Sequence, residues 1–309
     1  MDFLVNWVGN IPGFAVPFAL AALGLILTEK SGVLSLGAEG FMLMGAMAGV
    51  GAVIVGGQPM IALVVAALAA ALVSLIFAGL VVVLRVNQVI AGLAMVFLCQ
   101  GLTSLIASVE GWSSVAIVGL PKLPIPGLAD VPVVGRILFR QDIVVYLTVP
   151  IFLAVQWFLM RTETGLRLRA VGENPEAADS AGVNVAAYRT GAIMAGAALV
   201  GLAGGYLSVA VAKIWVDGMA GGRGWIAIAL VIFARWHPWR ALFGAILFGS
   251  IEALIPRVAA VGIQVPQYFM LMTPYVATLL VMIWAALRGN MRLDEPGALG
   301  RPHVREERR

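Results

Sequence analysis

Apolar stretches long enough to cross a bilayer recur along the whole chain. The hydrocarbon core of a membrane is about 30 Å thick, so a spanning helix needs about 20 mainly apolar residues. Hydrophobic residues make up 61% of the chain and charged residues 12%, against roughly half and a quarter in soluble domains. The sequence therefore predicts an all-α polytopic membrane protein with about nine transmembrane helices, within a range of eight to ten, at residues 11–27, 33–55, 60–84, 88–107, 142–160, 190–212, 224–236, 240–255 and 266–287.

Some of these stretches are expected to be broken or re-entrant. The second is rich in glycine, and the seventh and eighth are short and separated only by residues 235–240, which read Arg-Trp-His-Pro-Trp-Arg. Irregular backbone inside a membrane protein is tolerated where it is buried in protein or lines a cavity. A transmembrane domain over residues 1–288 and a polar tail over 289–309 follow from this pattern.

The distribution of basic residues predicts the orientation. If the polar loop at about 161–189 is cytoplasmic, fourteen of the 20 lysines and arginines lie inside and six outside. Cytoplasmic loops carry the excess of positive charge in membrane proteins. We therefore expect an external N-terminus and a cytoplasmic C-terminus, with a plasma (inner) membrane location in a bacterial cell. The pI near 9.6 comes from arginines at helix ends, and no basic patch with interleaved aromatics indicates a nucleic-acid partner.

The longest loop, at about 108–141, is external in this topology. It carries four prolines with apolar residues between them, and such a surface is costly in water unless it packs on something. Two interpretations stay open, a loop folded back on the bundle or a docking surface for a substrate-delivery protein.

A polar island at residues 171–184 interrupts the apolar pattern. Asn174 suits an N-cap, Pro175 suits the first helical position, and Glu176 lies where the helix dipole favours negative charge. Gly182 suits a left-handed residue after the helix. The pattern predicts a short helix, either an ordinary loop helix or one that contacts a partner protein.

Ionisable residues inside spans are the candidates for a transport pathway. Glu39 lies in the second stretch, bracketed by Gly37 and Gly40, and an intramembrane carboxylate is expected to face the bundle interior with a partner. Arg223 is bracketed in the same way by Gly222 and Gly224, immediately before an apolar helix. The likeness of the two segments suggests two halves that meet at a central pathway, although Arg223 could equally be an external anchor.

Further residues have polar or aromatic side chains suited to line a route or to stack on a planar substrate. For Glu252 we expect structural pairing. Cys99 is a packing residue, and the two histidines, His237 and His303, do not form a metal site. The remaining candidates are Phe41, Asn87, Gln88, Gln100, Thr103 and Trp225.

Neither an ATP-binding loop nor a catalytic set is found in the sequence. The segment nearest to a phosphate-binding loop, residues 24–31, has Glu29 in place of the required second glycine, and a carboxylate there would repel phosphate. The chain is therefore not expected to be an enzyme or to hold a cofactor of its own.

Four segments together resemble the permeases of ABC importers for nucleosides, ribose and branched-chain amino acids. They are Thr-Glu-Lys-Ser-Gly-Val-Leu-Ser-Leu-Gly-Ala-Glu-Gly at 28–40, Asn-Gln-Val-Ile-Ala-Gly-Leu-Ala at 87–94, Ala-Val-Gly-Glu-Asn-Pro-Glu-Ala-Ala at 170–178 and Gly-Arg-Gly-Trp-Ile-Ala-Ile-Ala-Leu-Val-Ile-Phe at 222–233. The likeness covers roughly residues 15–288 and is greatest to the smaller of the two nucleoside-type permeases. Glu-Ala-Ala-x3-Gly, from Glu176 to Gly182, is similar to the pattern with which such permeases present a cytoplasmic helix to their ATPase. Two positions depart from the nucleoside-type pattern, since Ser35 and the run from Met95 to Phe97 stand where asparagines are frequent.

The resemblance implies a half-permease that pairs with a second, non-identical permease chain within membrane lipid. A cytoplasmic ABC ATPase would bind ATP and Mg, and a periplasmic or lipoprotein binding protein would deliver substrate. On this basis the ATPase-coupling residues are Glu173, Asn174, Glu176, Ala177, Ala178 and Gly182, and the substrate-pathway residues are Glu39, Phe41, Asn87, Gln88, Arg223 and Trp225.

Two alternatives stay open. The same architecture could import a simple sugar such as ribose, or a branched-chain amino acid. A proton-coupled secondary transporter would also explain intramembrane carboxylates at 39 and 252, but it would not explain the Glu-Ala-Ala-x3-Gly segment.

Overall fold

The chain folds into a bundle of helices in a computed structural model. It describes residues 2–129, 131, 134–260, 272, 276, 279, 280, 283 and 295–303. The helices of these ranges are α1 (Asp2–Glu29), α2 (Ala38–Gly56), α3 (Pro59–Ala78), α4 (Gln88–Val109), α5 (Val134–Leu138), α6 (Ile143–Arg161), α7 (Glu163–Glu173), α8 (Pro175–Ser180), α9 (Val185–Tyr206), α10 (Arg223–Ala234) and α11 (Pro238–Ala260). α3 and α9 each continue into a π-helical turn, at Gly79–Val83 and Leu207–Ala212.

Seven of these helices are long and apolar enough to cross a membrane, namely α1, α2, α3, α4, α6, α9 and α11. α10 is apolar but has only 12 residues, so it rises about 18 Å and is shorter than a bilayer core of about 30 Å. The predicted ninth span, 266–287, lies largely outside the described residues. A polytopic helical membrane protein is confirmed, and the orientation stays a prediction.

Two predicted boundaries differ from the structure. α1 extends from Asp2, nine residues before the predicted start, because its amphipathic first turns continue the helix beyond the apolar window. The second stretch is indeed broken, since residues 30–37 are not helical and α2 begins only at Ala38. Most of residues 30–37 are buried among the helices, which is where irregular backbone is tolerated in a membrane protein.

α1, α2 and α9 form the centre of the bundle. Their apolar windows are mostly buried, whereas α3, α4, α6 and α11 present most of their residues outward. Glycines allow the central helices to touch: a Cβ built on Gly45 of α2 would lie 2.5 Å from the Cα of Gly201 in α9. Membrane helices commonly pack through small residues in this way.

The external loop folds back on the bundle in its first part. The amide N of Ser114 donates to the carbonyl of Trp215 at 2.9 Å, and the amide of Ile117 donates to that of Lys213 at 3.0 Å. The Trp112 ring fills the space beside Gly51. Further along, Val118 is 79% exposed and Leu123 45% exposed, so both interpretations of this loop describe part of it.

Candidate functional site

Asn174 separates the two helices of the polar loop. It has an extended backbone (φ −149°, ψ 93°) that ends α7, and its Oδ1 accepts a hydrogen bond from the amide of Ala177 at 3.0 Å. Pro175 occupies the first turn of α8, where its missing N–H costs no hydrogen bond. Gly182 has a φ of +82°, a conformation that glycine adopts without strain. The short helix predicted from the sequence is present.

α8 presents one face to solvent and anchors the other. Glu176, Ala177 and Gly182 are exposed, whereas Ala178 is buried in a small cluster with Val171 of α7 and Val185 of α9. A six-residue helix has little stability of its own, so this apolar anchor and the Asn174 cap hold it in place. The exposed face is therefore available to a partner protein.

Glu39 joins the start of α2 to the start of α10. Its Oε1 accepts from the amide of Gly222 and its Oε2 from the amide of Gly224, both at 2.8 Å. The carboxylate, 8% exposed, lies in the first turn of α2 and caps α10, whose own N-cap residue Gly222 offers no side chain. Two helix N-termini thus share one negative charge, as the helix dipole favours. The predicted burial and pairing of Glu39 are confirmed.

Arg223 lies between the two glycines and pairs with Glu252 of α11. Its Nη2 is 3.1 Å from the Oε2 of Glu252, and its Nη1 donates to the carbonyls of Met219 and Ala220. The structural pairing expected for Glu252 is confirmed. Because Glu39 binds the same short stretch, the two glycine-flanked segments that resemble each other in the sequence do meet in the bundle.

The other four candidate pathway residues have identifiable local contacts. Trp225 is half-buried in the first turn of α10. Phe41 is buried and meets Phe77 edge-on with ring centroids 6.2 Å apart. Exposed Asn87 caps α4, and Gln88 accepts from the amide of Leu34 at 2.7 Å. Gln88 therefore ties α4 to the segment that leads to Glu39, while Asn87 and Phe41 lie apart from the Glu39–Arg223 cluster in their hydrogen bonding.

A comparison with protein families decides which kind of membrane protein this is. The profile of the family described as "Branched-chain amino acid transport system / permease component" matches residues 8–286. The chain belongs to this permease family. It is a permease component of an ABC transporter, as the resemblance implied, and its role is transport within a system of several subunits.

Three relatives cover nearly the whole permease. A putative glucose ABC transporter permease of Haloferax volcanii is 38% identical over 99% of each chain. The guanosine ABC transporter permease of Bacillus subtilis is 36% identical over 96% of this chain and 95% of its own. The nucleoside ABC transporter permease of Lactococcus lactis is 31% identical over 89% of this chain and 90% of its own.

Sequence reasoning missed a second buried carboxylate in the permease. Glu29, at the end of α1, accepts a hydrogen bond at 2.6 Å from the indole Nε1 of Trp236, and the two residues are 2% and 5% exposed. Trp236 has a φ of +54°, which is unusual for a residue with a large side chain. The sequence signal was an aromatic residue in a short polar break between two apolar stretches, which alone does not name its partner.

The polar tail was also only partly anticipated. It was expected to be polar surface, but residues 295–303 dock on the α7–α8 loop. The amide of Gly297 donates to Glu173 Oε2 at 3.2 Å, so one of the predicted coupling residues holds this segment.

Proposed function

We propose that this chain is one of two permease subunits of an ATP-driven, binding-protein-dependent importer of nucleosides. The observation that carries the proposal is α8, a capped and anchored helix whose Glu176 face is exposed in a chain of the ABC permease family. The nucleoside assignment draws on the guanosine and nucleoside permeases, each similar over most of its length.

In this proposal a cytoplasmic ABC ATPase grips α8. Its contact would be built by Glu173, Asn174, Glu176, Ala177, Ala178 and Gly182, with Glu176 and Ala177 in direct contact and Ala178 holding the helix down from below. ATP and Mg would be bound by that ATPase, and this chain would hold no cofactor. Closure of the ATPase would displace α8 and the helices anchored to it, which is alternating access driven from outside the membrane domain.

The substrate path would run between this chain and a second, non-identical permease in a bacterial inner membrane. Large apolar side chains face outward from α3 and α4, including Leu72, Ile90, Phe97 and Leu105, and lipid or a second subunit would cover them. Glu39, Phe41, Asn87, Gln88, Arg223 and Trp225 are the proposed pathway residues. A periplasmic or lipoprotein binding protein would deliver substrate at the exposed part of the external loop.

A simple sugar is the second candidate substrate. It is favoured by the putative glucose permease, which matches this chain over 99% of both lengths. The two candidates share the architecture and differ only in what enters the path.

Uptake of labelled guanosine and uridine, in cells with and without this chain, tests the proposal. We expect uptake to be lost on deletion, to return with the wild-type chain, and to persist with excess unlabelled glucose, ribose or leucine. Competition by glucose or ribose would transfer the assignment to sugars. Uptake that continues in ATP-depleted vesicles under a proton gradient would refute the ATP-driven mechanism.

A further inference from the structure

Residues 295–303, here called the C-terminal clasp, fold into consecutive turns. The amide of Leu299 bonds to the carbonyl of Pro296 at 3.0 Å, and the amide of Arg301 bonds to that of Ala298 at 3.1 Å. Gly300 has a φ of +75°, and Pro296 and Ala298 are buried. The clasp is therefore a defined, partly buried structure attached to the body of the permease.

The clasp bonds to two different parts of the chain. The amide of Ala298 donates to the carbonyl of Gly172 in α7 at 2.9 Å, next to the Gly297–Glu173 bond. Two residues later the amide of Gly300 donates to the carbonyl of Gly32 at 3.2 Å. One short segment thus bridges the α7–α8 loop and the non-helical residues 30–37.

The two bridged parts also touch each other directly. A Cβ built on Gly172 would lie 2.9 Å from the carbonyl carbon of Lys30 and 3.1 Å from the amide N of Gly32, so only glycine allows this approach. The segment 30–37 runs on to Ala38 and Glu39, which hold the first turn of α10. A continuous path of contacts therefore leads from α8 to the Glu39 cluster.

Arg189 of α9 fixes the far end of the clasp. Its side chain is 2% exposed, and its Nη1 donates to the carbonyl of Arg301 at 3.0 Å. Within the described residues its Nε and Nη2 have no hydrogen-bond partner. A buried charge with so few partners specifies one geometry at a cost in stability, which suggests that the position of the clasp matters to the permease.

We propose that the clasp is a positioning element for coupling, which makes the α7–α8 loop and residues 30–37 move as one unit. A displacement of α8 then reaches Glu39 and the start of α10 instead of being absorbed by the loop. The inference rests on the proposed function only in taking α8 as the ATPase contact.

Two truncations of the full complex, reconstituted in lipid, test this inference. One removes residues 295–309 and the clasp with them, and its matched control removes only residues 304–309. For the first we expect normal membrane insertion, co-purification with the ATPase and ATP hydrolysis, with at least about fivefold less substrate moved per ATP, the lower end of typical coupling effects. The control is expected to match the full-length chain.

Backbone amide exchange gives a readout that does not depend on the substrate. Removal of the clasp should raise exchange in residues 30–37 and 170–182 together, and removal of 304–309 should not. If the full-length chain moved no nucleoside, the substrate assignment would fail while this readout would still decide the role of the clasp.

Two outcomes would overturn the inference. Transport per ATP and amide exchange equal to those of the full-length chain would mean that the clasp joins nothing. Faster uptake after its removal would make it an inhibitory contact instead. If the long truncation fails to insert, Ala298→Pro, which removes the donor to Gly172 at full chain length, is measured in its place with the same expected losses.

Discussion

Replacement of Glu39 by glutamine should weaken the junction between α2 and α10. Each carboxylate oxygen accepts one backbone N–H at 2.8 Å, from Gly222 and from Gly224. Glutamine keeps one oxygen but places an NH2 group against the second N–H, so two donors face each other. One charge-assisted hydrogen bond is lost, and the other becomes a neutral bond.

The magnitude follows from these two changes. A hydrogen bond to a charged group contributes about 1.5–3 kcal/mol, but in membranes the separated helices find other partners, which reduces the difference. The lower end, about 1.5 kcal/mol for the lost bond and about 0.5 kcal/mol for the weakened one, gives about 2 kcal/mol. That corresponds to a factor of about 30 in the equilibrium between joined and parted helices.

Reversible unfolding of the purified permease in mixed micelles measures this loss. The matched control is Glu163→Gln, which removes the charge of an exposed carboxylate paired with Arg167 four residues on; we expect it to cost about 0.5 kcal/mol or less. A Glu39→Gln variant no less stable than the Glu163→Gln variant would refute the capping role assigned to Glu39.

Three further outcomes follow from other contacts. Glu176→Lys should leave membrane insertion intact but lower nucleoside uptake by about tenfold or more relative to ATP hydrolysis; normal uptake would remove Glu176 from the coupling surface. Trp236→Phe deletes the donor to Glu29 and should cost about 1–3 kcal/mol of unfolding free energy, because a buried carboxylate loses its partner, and an unchanged unfolding curve would contradict this. Burial, aided by the nearby Arg189, lowers the pKa of His303 below its usual value; the undocked segment then binds protons more readily, so docking should be intact above about pH 6.5 and weaken as the pH falls, seen as faster amide exchange in 295–303.

Hydropathy predicted most of the bundle because lipid and the helix interior select the same apolar residues. α3, α4 and α6 begin and end within two residues of the predicted stretches. α1 was placed too short, since its first turns carry Asp2 and Asn6 in an amphipathic helix and lower the average hydropathy there. A hydropathy window detects the buried middle of a helix better than its polar ends.

The α8 region could be predicted because helix capping is a local property. Asn174, Pro175 and Gly182 act on backbone groups within three or four residues of themselves, so the sequence contains both the cause and its target. The clasp lacks such a local cause. Its partners, Gly32 and Gly172, offer backbone carbonyls more than 100 positions away in the sequence, and no side-chain pattern marks a carbonyl as an acceptor.

Glu39 and Glu252 approach the same turn of α10 from two helices, and this arrangement bears on the rival mechanism. Glu39 engages both of its oxygens with backbone amides, and Glu252 engages the Arg223 guanidinium between those amides. A carboxylate that carried a transported proton would have to give up these bonds in each cycle, and the start of α10 would lose its cap each time. Both carboxylates are better suited to hold the two glycine-flanked segments together. Energy then has to enter from elsewhere, and the exposed face of α8 is the part of the described chain built to receive it.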